Sequence, residues 1–176
     1  MSTATATAVP NNIGTDVKAR TKGTGRSMES KGRILVVDDE VNARTALTEL
    51  LHDEGYTVDA AADGFKALGK MADFAPDLVL TDLKMPGMDG IQLLGKIRET
   101  DAELPVVMMT AFGEVETAVG AMRAGARDYL SKPVNVGELQ VVVAREMAAR
   151  KLRAEGRQQR RAAVKWYGKA SAFGPH

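Results

Sequence analysis

The stretch DLVLTDLKMPGMDG, residues 77–90, places a carboxylate directly after a short run of apolar residues. Three consecutive aliphatic residues, 78–80, lie at the centre of the run 77–81, which is typical of a strand buried on both faces of a sheet. Asp82 follows this strand, and the segment KMPGMDG that comes soon after it predicts a turn. The stretch therefore raises the question of which groups face an acidic side chain at the end of a buried strand.

Strand and helix patterns alternate on both sides of this stretch. Apolar runs predict strands at 33–37, 77–81 and 104–110, alternation predicts a strand at 56–61, and 128–133 is predicted as a short strand. Apolar residues at helical spacing predict helices at 42–54, 64–72, 90–99, 114–125 and from 136 onward. Asn135 caps the last helix, with Glu138 three residues later as in a capping box. Five such units predict an α/β fold, a doubly wound five-stranded parallel sheet covered on both faces.

Charge is strongly segregated along the chain, whose 176 residues carry a formal net charge of +1. Residues 33–144 carry ten Lys or Arg against nineteen Asp or Glu. Residues 1–32 carry five against two, and residues 145–176 carry nine against two. An acidic body is therefore flanked by two basic arms. The first arm, 1–31, has no apolar periodicity and is predicted to be disordered, and we hypothesise that Met28 is the natural start.

The composition disfavours several classes of protein. The chain has no cysteine, so neither disulfides nor thiolate chemistry is available to it. Its N-terminus lacks the basic start and apolar region of a secretory signal. No apolar run approaches the roughly 18 residues that are needed to span a membrane. A cytoplasmic location is therefore expected, and 44% hydrophobic residues are enough for the core of one domain.

Polar side chains collect at the predicted carboxyl ends of four strands. Asp38 and Asp39 follow the first strand, Asp82 the third, Thr110 ends the fourth and Lys132 lies at the end of the fifth. Because reactive groups of such folds gather at the carboxyl ends of the strands, these residues are expected to meet there. Crowded carboxylates favour a shared cation, and Mg²⁺ suits a site with few carboxylates and several waters. A carboxylate nucleophile beside a metal suits phosphoryl transfer.

Four segments, ILVVDDE, DLVLTDLKMPGMDG, VVMMTAFG and ARDYLSKPV, resemble the hallmarks of bacterial response-regulator receiver domains. The resemblance covers about residues 32–147, with every hallmark in order. The separations are 44 residues from Asp38 to Asp82, 28 from there to Thr110 and 22 from there to Lys132. The region 108–133 is most similar to the receivers of NtrC-type activators. The resemblance implies a flavodoxin-like (βα)5 domain that changes its protein contacts on phosphorylation.

The resemblance also implies which residues hold the phosphoryl group and the metal. Asp82 would be the phosphoacceptor. Mg²⁺ would be held by Asp38, Asp39 and Asp82 together with the backbone carbonyl of Lys84. A sensor histidine kinase or a phosphotransfer protein would supply the phosphoryl group. Output would be contact with a downstream protein, or with a second copy of the chain.

The remaining roles concern the switch that the resemblance implies. Lys132 would contact the acyl phosphate and would be joined to Pro133 by a cis peptide bond. Thr110 would move toward the phosphoryl group, and Tyr129 would change rotamer with it. These changes would be read at a face formed by the fourth helix, the fifth strand and the fifth helix.

The C-terminal segment 148–176 is predicted to be a basic, partly helical extension that Gly156 interrupts. It contains neither a helix-turn-helix pattern nor the G-x-x-x-x-G-K-[ST] loop of a nucleotide-binding motor, so no effector domain is expected. Three interpretations remain open. The segment is a solvated extension, a docking segment with Trp166, Tyr167 and Phe173 as anchors, or a nucleic-acid contact through its Lys and Arg residues.

An enzyme is the main rival to a phosphoacceptor. Haloacid-type phosphatases also use an aspartate on a similar sheet, but they need D-x-D on the first strand, whereas Asp38 and Asp39 are adjacent here. The sequence therefore predicts a protein that carries out only its own phosphorylation and dephosphorylation. The alternative function is a DNA-binding or transcription-regulating fragment that acts through the basic tail.

Overall fold

The computed structural model describes residues 29–111 and 113–170, which form five strands alternating with five helices. The strands are β1 (Arg33–Val37), β2 (Thr57–Ala61), β3 (Leu78–Asp82), β4 (Val106–Ala111) and β5 (Asp128–Lys132). The helices are α1 (Val41–Asp53), α2 (Gly64–Phe74), α3 (Gly90–Thr100), α4 (Val115–Arg123) and α5 (Val136–Ala170). Most of the predicted N-terminal disordered segment, with Met28, and also Phe173 lie outside the described residues.

The sheet is parallel throughout, with the strand order β2-β1-β3-β4-β5. This is the flavodoxin-like arrangement, in which the direction of winding reverses between β1 and β3. The predicted doubly wound five-stranded sheet is therefore confirmed. Ligand sites in such sheets lie in the crevice outside the carboxyl ends of the strands at this reversal.

Each face of the sheet is covered by a separate layer of apolar side chains. Ile34 and Leu35 of β1 are both fully buried, but they belong to different layers because successive strand side chains point to opposite faces. Leu35 packs in the layer under α2, α3 and α4, and Ile34 packs in the layer under α1 and α5. Full burial of side chains of this size contributes about 1.5–3 kcal/mol each. The two layers hold β1 rigidly and fix the edge at which it ends.

Helix α4 turns the larger part of its apolar stripe toward solvent. The sequence places Val115, Ala118, Val119 and Met122 on one stripe, and of these only Ala118 is buried, together with Ala121. The exposed fractions of the three larger side chains are 66%, 45% and 40%, in that order. Small alanines therefore make the contact with the sheet, and the larger side chains are left as an apolar surface.

Helix α5 runs without interruption from Val136 to Ala170, so the predicted break at Gly156 is wrong. One glycine costs only about 1 kcal/mol in a helix interior, and the residues around it are mostly good helix formers. Ion pairs from Arg150 to Asp101 and from Arg157 to Glu103 tie the helix to the α3–β4 loop on both sides of this glycine. Within the described ranges, no helix is both long and apolar enough to cross a membrane.

The first residue of α3, Gly90, packs against the end of β3. Its backbone N–H donates to the Leu83 carbonyl at 2.8 Å. A Cβ atom at this position would lie 2.6 Å from the Asp82 carbonyl oxygen and 3.0 Å from the Cα atom of Leu83. Both neighbours are backbone atoms, so a side chain cannot be accommodated without moving the loop that follows Asp82. In contrast, a Cβ atom on Gly95 would have no neighbour within 4 Å.

We expect Gly90→Ala to lower the free energy of unfolding by about 1–3 kcal/mol, because the added methyl group collides with backbone. The matched control is Gly95→Ala in the same helix, which should raise the free energy of unfolding by up to about 1 kcal/mol. Urea unfolding of both variants measures the difference. Equal effects of the two substitutions would contradict the packing described for α3.

Candidate functional site

The polar groups predicted from the strand ends meet at the reversal between β1 and β3. Val37 pairs with Thr81 across these two strands, so the residues that follow, Asp38 and Asp82, lie side by side at the edge of the sheet. Oxygen atoms of Asp38, Asp39 and Asp82 lie within 4.8 Å of one another. The fold therefore places three carboxylates at one point, as expected from the sequence.

The side chain of Asp38 is fully buried, and hydrogen bonds hold both its carboxylate and its backbone carbonyl. Its Oδ1 atom accepts a hydrogen bond from the backbone N–H of Glu40 at 2.9 Å. The guanidinium of Arg44 donates to its carbonyl oxygen at 2.7 Å. Asp39, one residue further on, is exposed. The site thus combines one immobile buried carboxylate with one that faces solvent.

Lys132 joins the carboxylates of β1 and β3 from the far side of β4. Its ammonium lies 2.9 Å from Oδ2 of Asp38 and 3.0 Å from Oδ2 of Asp82. The Lys132–Pro133 peptide bond is cis. The exposed fractions of the three side chains are 26% for Lys132, 0% for Asp38 and 14% for Asp82. This largely desolvated cation offsets the repulsion between the two acids.

Excess negative charge remains at the site after this pairing. Burial raises the pKa of Asp82, and the repulsion from Asp38 and Asp39 adds to this, while the hydrogen bond and charge of Lys132 oppose it. Burial lowers the pKa of Lys132, but its hydrogen bonds to Asp38 and Asp82 outweigh burial, so that the net shift of this pKa is upward. Three carboxylates against one ammonium leave a site whose donor atoms fit a hard divalent cation.

A cavity of about 170 Å³ opens beside the carboxylate of Asp82. Its lining includes Thr110, which ends the buried part of β4 and is 3% exposed, and Lys132. The lining also includes Lys84 and Glu114, which form an ion pair with each other. The structure thus brings the predicted hydroxyl and ammonium groups to the same space as the predicted phosphoacceptor.

The structure adds details of the site that the sequence alone does not give. Tyr129 lies in β5 with 41% of its surface exposed, and it is not among the residues that line the cavity. Glu114 does line it, although it has no motif and was predicted only as the start of a helix. Its partner Lys84 was predicted for its backbone carbonyl and not for its side chain. No local signal connects these two residues, which are 30 positions apart.

The arrangement of this fold and site is shared by a known class of signalling domain. The sequence model of the response regulator receiver domain matches residues 34–144. The chain therefore belongs to the family of response regulator receiver domains, the phosphoacceptor modules of two-component systems. The resemblance drawn from the four sequence segments is confirmed.

Individual relatives cover different shares of this chain. Regulatory protein AtoC of Escherichia coli (strain K12) is 43% identical over 128 residues, which are 73% of this chain and 28% of AtoC. Sporulation initiation phosphotransferase F of Bacillus subtilis (strain 168) is 39% identical over 63% of this chain and 90% of that protein. The solved receiver domain of NtrX from Brucella abortus has a TM-score of 0.63 and 43% identity, and the match covers 65% of this chain and 98% of that domain. The chain spans less than a third of AtoC.

We expect Lys132→Met to lower the free energy of unfolding at pH 7 by about 2 kcal/mol, because it leaves the buried Asp38 without a cation. The folded-state pKa of Lys132 is raised, so its stabilisation is present below the ordinary lysine pKa and lost as pH rises through the folded-state value. The loss of unfolding free energy in Lys132→Met should also become smaller in acid, as the carboxylates take up protons. Urea unfolding at pH 4, 7 and above 10 measures it.

The control for this substitution is Lys66→Met, whose side chain is 68% exposed on α2. Its effect should stay within about 0.5 kcal/mol at each pH. A loss of the same size in both lysine variants would contradict the stabilising role of Lys132.

Proposed function

We propose that this protein is phosphorylated on Asp82 by a sensor histidine kinase or a phosphotransfer protein, and that the aspartyl phosphate changes its contacts with other proteins. The observation that carries this proposal is the contact of one ammonium, that of Lys132, with the carboxylates of Asp38 and Asp82. This contact lies beside a cavity with room for a phosphoryl group, lined also by Thr110.

The proposed transfer is a displacement at phosphorus. A carboxylate oxygen of Asp82 attacks the phosphorus atom of a phosphohistidine, and a P–O bond forms. The P–N bond breaks, and its electron pair stays on the imidazole nitrogen of the donor. Lys132 lies within reach of the new phosphoryl oxygens and offsets their charge. The Thr110 hydroxyl can donate to another of these oxygens.

We also propose that Asp38, Asp39, Asp82 and the backbone carbonyl of Lys84 hold Mg²⁺. The ion, when bound, neutralises charge on the transferring phosphoryl group. The fit rests on the donor set: three carboxylates with oxygens within 4.8 Å of one another, of which Asp39 is exposed and leaves the site open to water. Asp38 fixes the geometry of the site because its own hydrogen bonds hold it in place.

Output is proposed to occur at the surface formed by α4, β5 and α5. Val115, Val119 and Met122 of α4 and Tyr129 of β5 are all substantially exposed there. Phosphorylation would draw in Thr110, and Tyr129 would change rotamer. The fraction of molecules in which this surface has its active conformation would therefore rise. A downstream protein, or a second copy of this chain in a homodimer, would bind it.

Residues 32–147 would form the receiver unit, and 148–176 would be a basic extension of it. The protein would act on no substrate other than its own Asp82, and it would work in the cytoplasm. Contact with nucleic acid is the second candidate function, and the exposed basic residues of α5 favour it: Arg160, Arg161, Lys165 and Lys169. A DNA affinity that falls steeply with salt and is absent from a 1–144 truncation would support this second function.

Wild-type protein incubated with acetyl phosphate and Mg²⁺ should gain one phosphoryl group, because Asp82 is the nucleophile. Asp82→Asn should gain none, since its amide cannot form the acyl phosphate. Asp53→Asn, an exposed aspartate at the end of α1, is the matched control and should behave as wild type. Intact-protein mass spectrometry measures the product. Equal labelling of wild type and Asp82→Asn, or no labelling of either, would refute the proposal.

Mg²⁺ alone should raise the melting temperature, because binding to the folded state stabilises it by about 1.4 kcal/mol when the free ion is at tenfold its dissociation constant. Asp39→Asn should lose most of this gain without loss of basal stability, since Asp39 is exposed. Asp53→Asn should keep the full gain. A thermal shift with Mg²⁺ that is the same in Asp39→Asn as in wild type would rule out this ligand set.

A further inference from the structure

Lys84 and Glu114 form an ion pair at the cavity beside Asp82. Lys84 lies in the loop after β3, and Glu114 immediately precedes α4, so the pair joins two separate elements of the fold. Both side chains line the cavity together with Asp82. The exposed fraction is 69% for the Lys84 side chain and 25% for that of Glu114. The acid is therefore the better shielded partner.

Glu114 stands at the N-cap position of α4 but makes no side-chain capping hydrogen bond. Its Oε1 atom accepts from Lys84, and its Oε2 atom is buried without a hydrogen-bond partner among the described residues. A buried carboxylate oxygen without a partner is costly. The Glu114 carboxylate thus neither caps the helix nor has a hydrogen-bond partner for both of its oxygens, and Lys84 is the cation that offsets its charge.

A phosphoryl group on Asp82 would carry further negative charge into this same cavity. Like charges in one small, partly buried cavity repel each other more strongly than they do in water. Lys84 would be drawn toward the phosphoryl oxygens, and Glu114 would be pushed from them. The phosphoryl group and the Glu114 carboxylate therefore compete for one ammonium.

We propose that the Lys84–Glu114 ion pair is a latch on the start of α4, which opens when a phosphoryl group on Asp82 takes Lys84 from Glu114. This inference rests on the proposed phosphorylation of Asp82. Coupling between two sites is reciprocal. The phosphoryl group weakens the ion pair by some factor, and the ion pair therefore weakens binding of the phosphoryl group by the same factor. Glu114 is a positioning residue, which acts through Lys84.

Opening of the latch reaches the exposed surface of α4 directly. Glu114 adjoins Val115, and its carbonyl accepts the first hydrogen bond of the helix, from the N–H of Ala118 at 3.1 Å. Without a side-chain cap, the first turn depends on the position of Glu114. When Lys84 releases the Glu114 carboxylate, the first turn of α4, which includes the exposed Val115, therefore becomes looser.

The test uses the whole chain and beryllofluoride with Mg²⁺ as the phosphoryl mimic. Glu114→Gln should bind the mimic at least about fivefold more tightly than wild type, because the competing charge is gone. In Glu114→Gln without the mimic, the first turn of α4 should exchange its amide hydrogens faster than in wild type without the mimic. Wild type should show the same faster exchange once the mimic is bound. Glu116→Gln is the matched control, an exposed acid in the same turn, and it should match wild type in both measurements.

Isothermal titration calorimetry gives the affinities, and hydrogen-exchange mass spectrometry reports on 114–118. Glu114→Ala serves as a second variant, with the same expected gain in affinity. Unchanged or weaker binding by both Glu114 variants, or an equal gain in Glu116→Gln, overturns the latch while the phosphoacceptor proposal stands. Failure of wild type to bind the mimic overturns both.

Discussion

The contact of the Lys132 ammonium with the carboxylates of Asp38 and Asp82 is the constraint on which the site depends. A fully buried carboxylate is tolerated only when a cation or hydrogen bonds stabilise it, and Asp38 has both. The same ammonium opposes, without cancelling, the burial that raises the pKa of Asp82. Lys132 thereby allows two acids to share one edge of the sheet, where mutual repulsion would otherwise drive them apart or protonate one of them.

The sheet supplies the rigidity that this contact requires. β1 and β3 are neighbours, and β5 lies beyond β4, so the ammonium of Lys132 reaches past β4 to the ends of β3 and β1, which are two and three strands away. Apolar layers on both faces hold these strands in place. The close approach of Gly90 to the carbonyl of Asp82 fixes the loop that leaves the site. Small displacements in any of these contacts would separate the three charges, and the packing prevents such displacements.

The fold was largely predictable from sequence because its signals are local. Apolar runs marked β1, β3 and β4, and alternation marked β2. The acids, hydroxyl and ammonium at the strand ends could be grouped once the strands were taken to be parallel. The orientation of a helix depends less on local sequence. Val115, Val119 and Met122 form an apolar stripe, but Ala118 and Ala121 face the sheet because of the space available beneath α4. The pairing of Lys84 with Glu114 joins two loops, where no periodicity gives a signal. Helix α5 continues past Gly156 because one glycine costs little among good helix formers, and its ion pairs with the α3–β4 loop join residues that are distant in sequence.

The unbroken α5 has a geometric consequence. At 1.5 Å per residue, its 35 residues form a rod about 50 Å long, of which the part beyond Arg157 extends roughly 20 Å past the last ion pair with the α3–β4 loop. If the helix tilts by about 10° where it packs on the sheet, its far end, roughly 35 Å beyond Met147, moves by about 6 Å. Trp166 and Tyr167, each 70% exposed, lie near that far end. Slight rearrangements where α5 meets the sheet are therefore enlarged at its aromatic end.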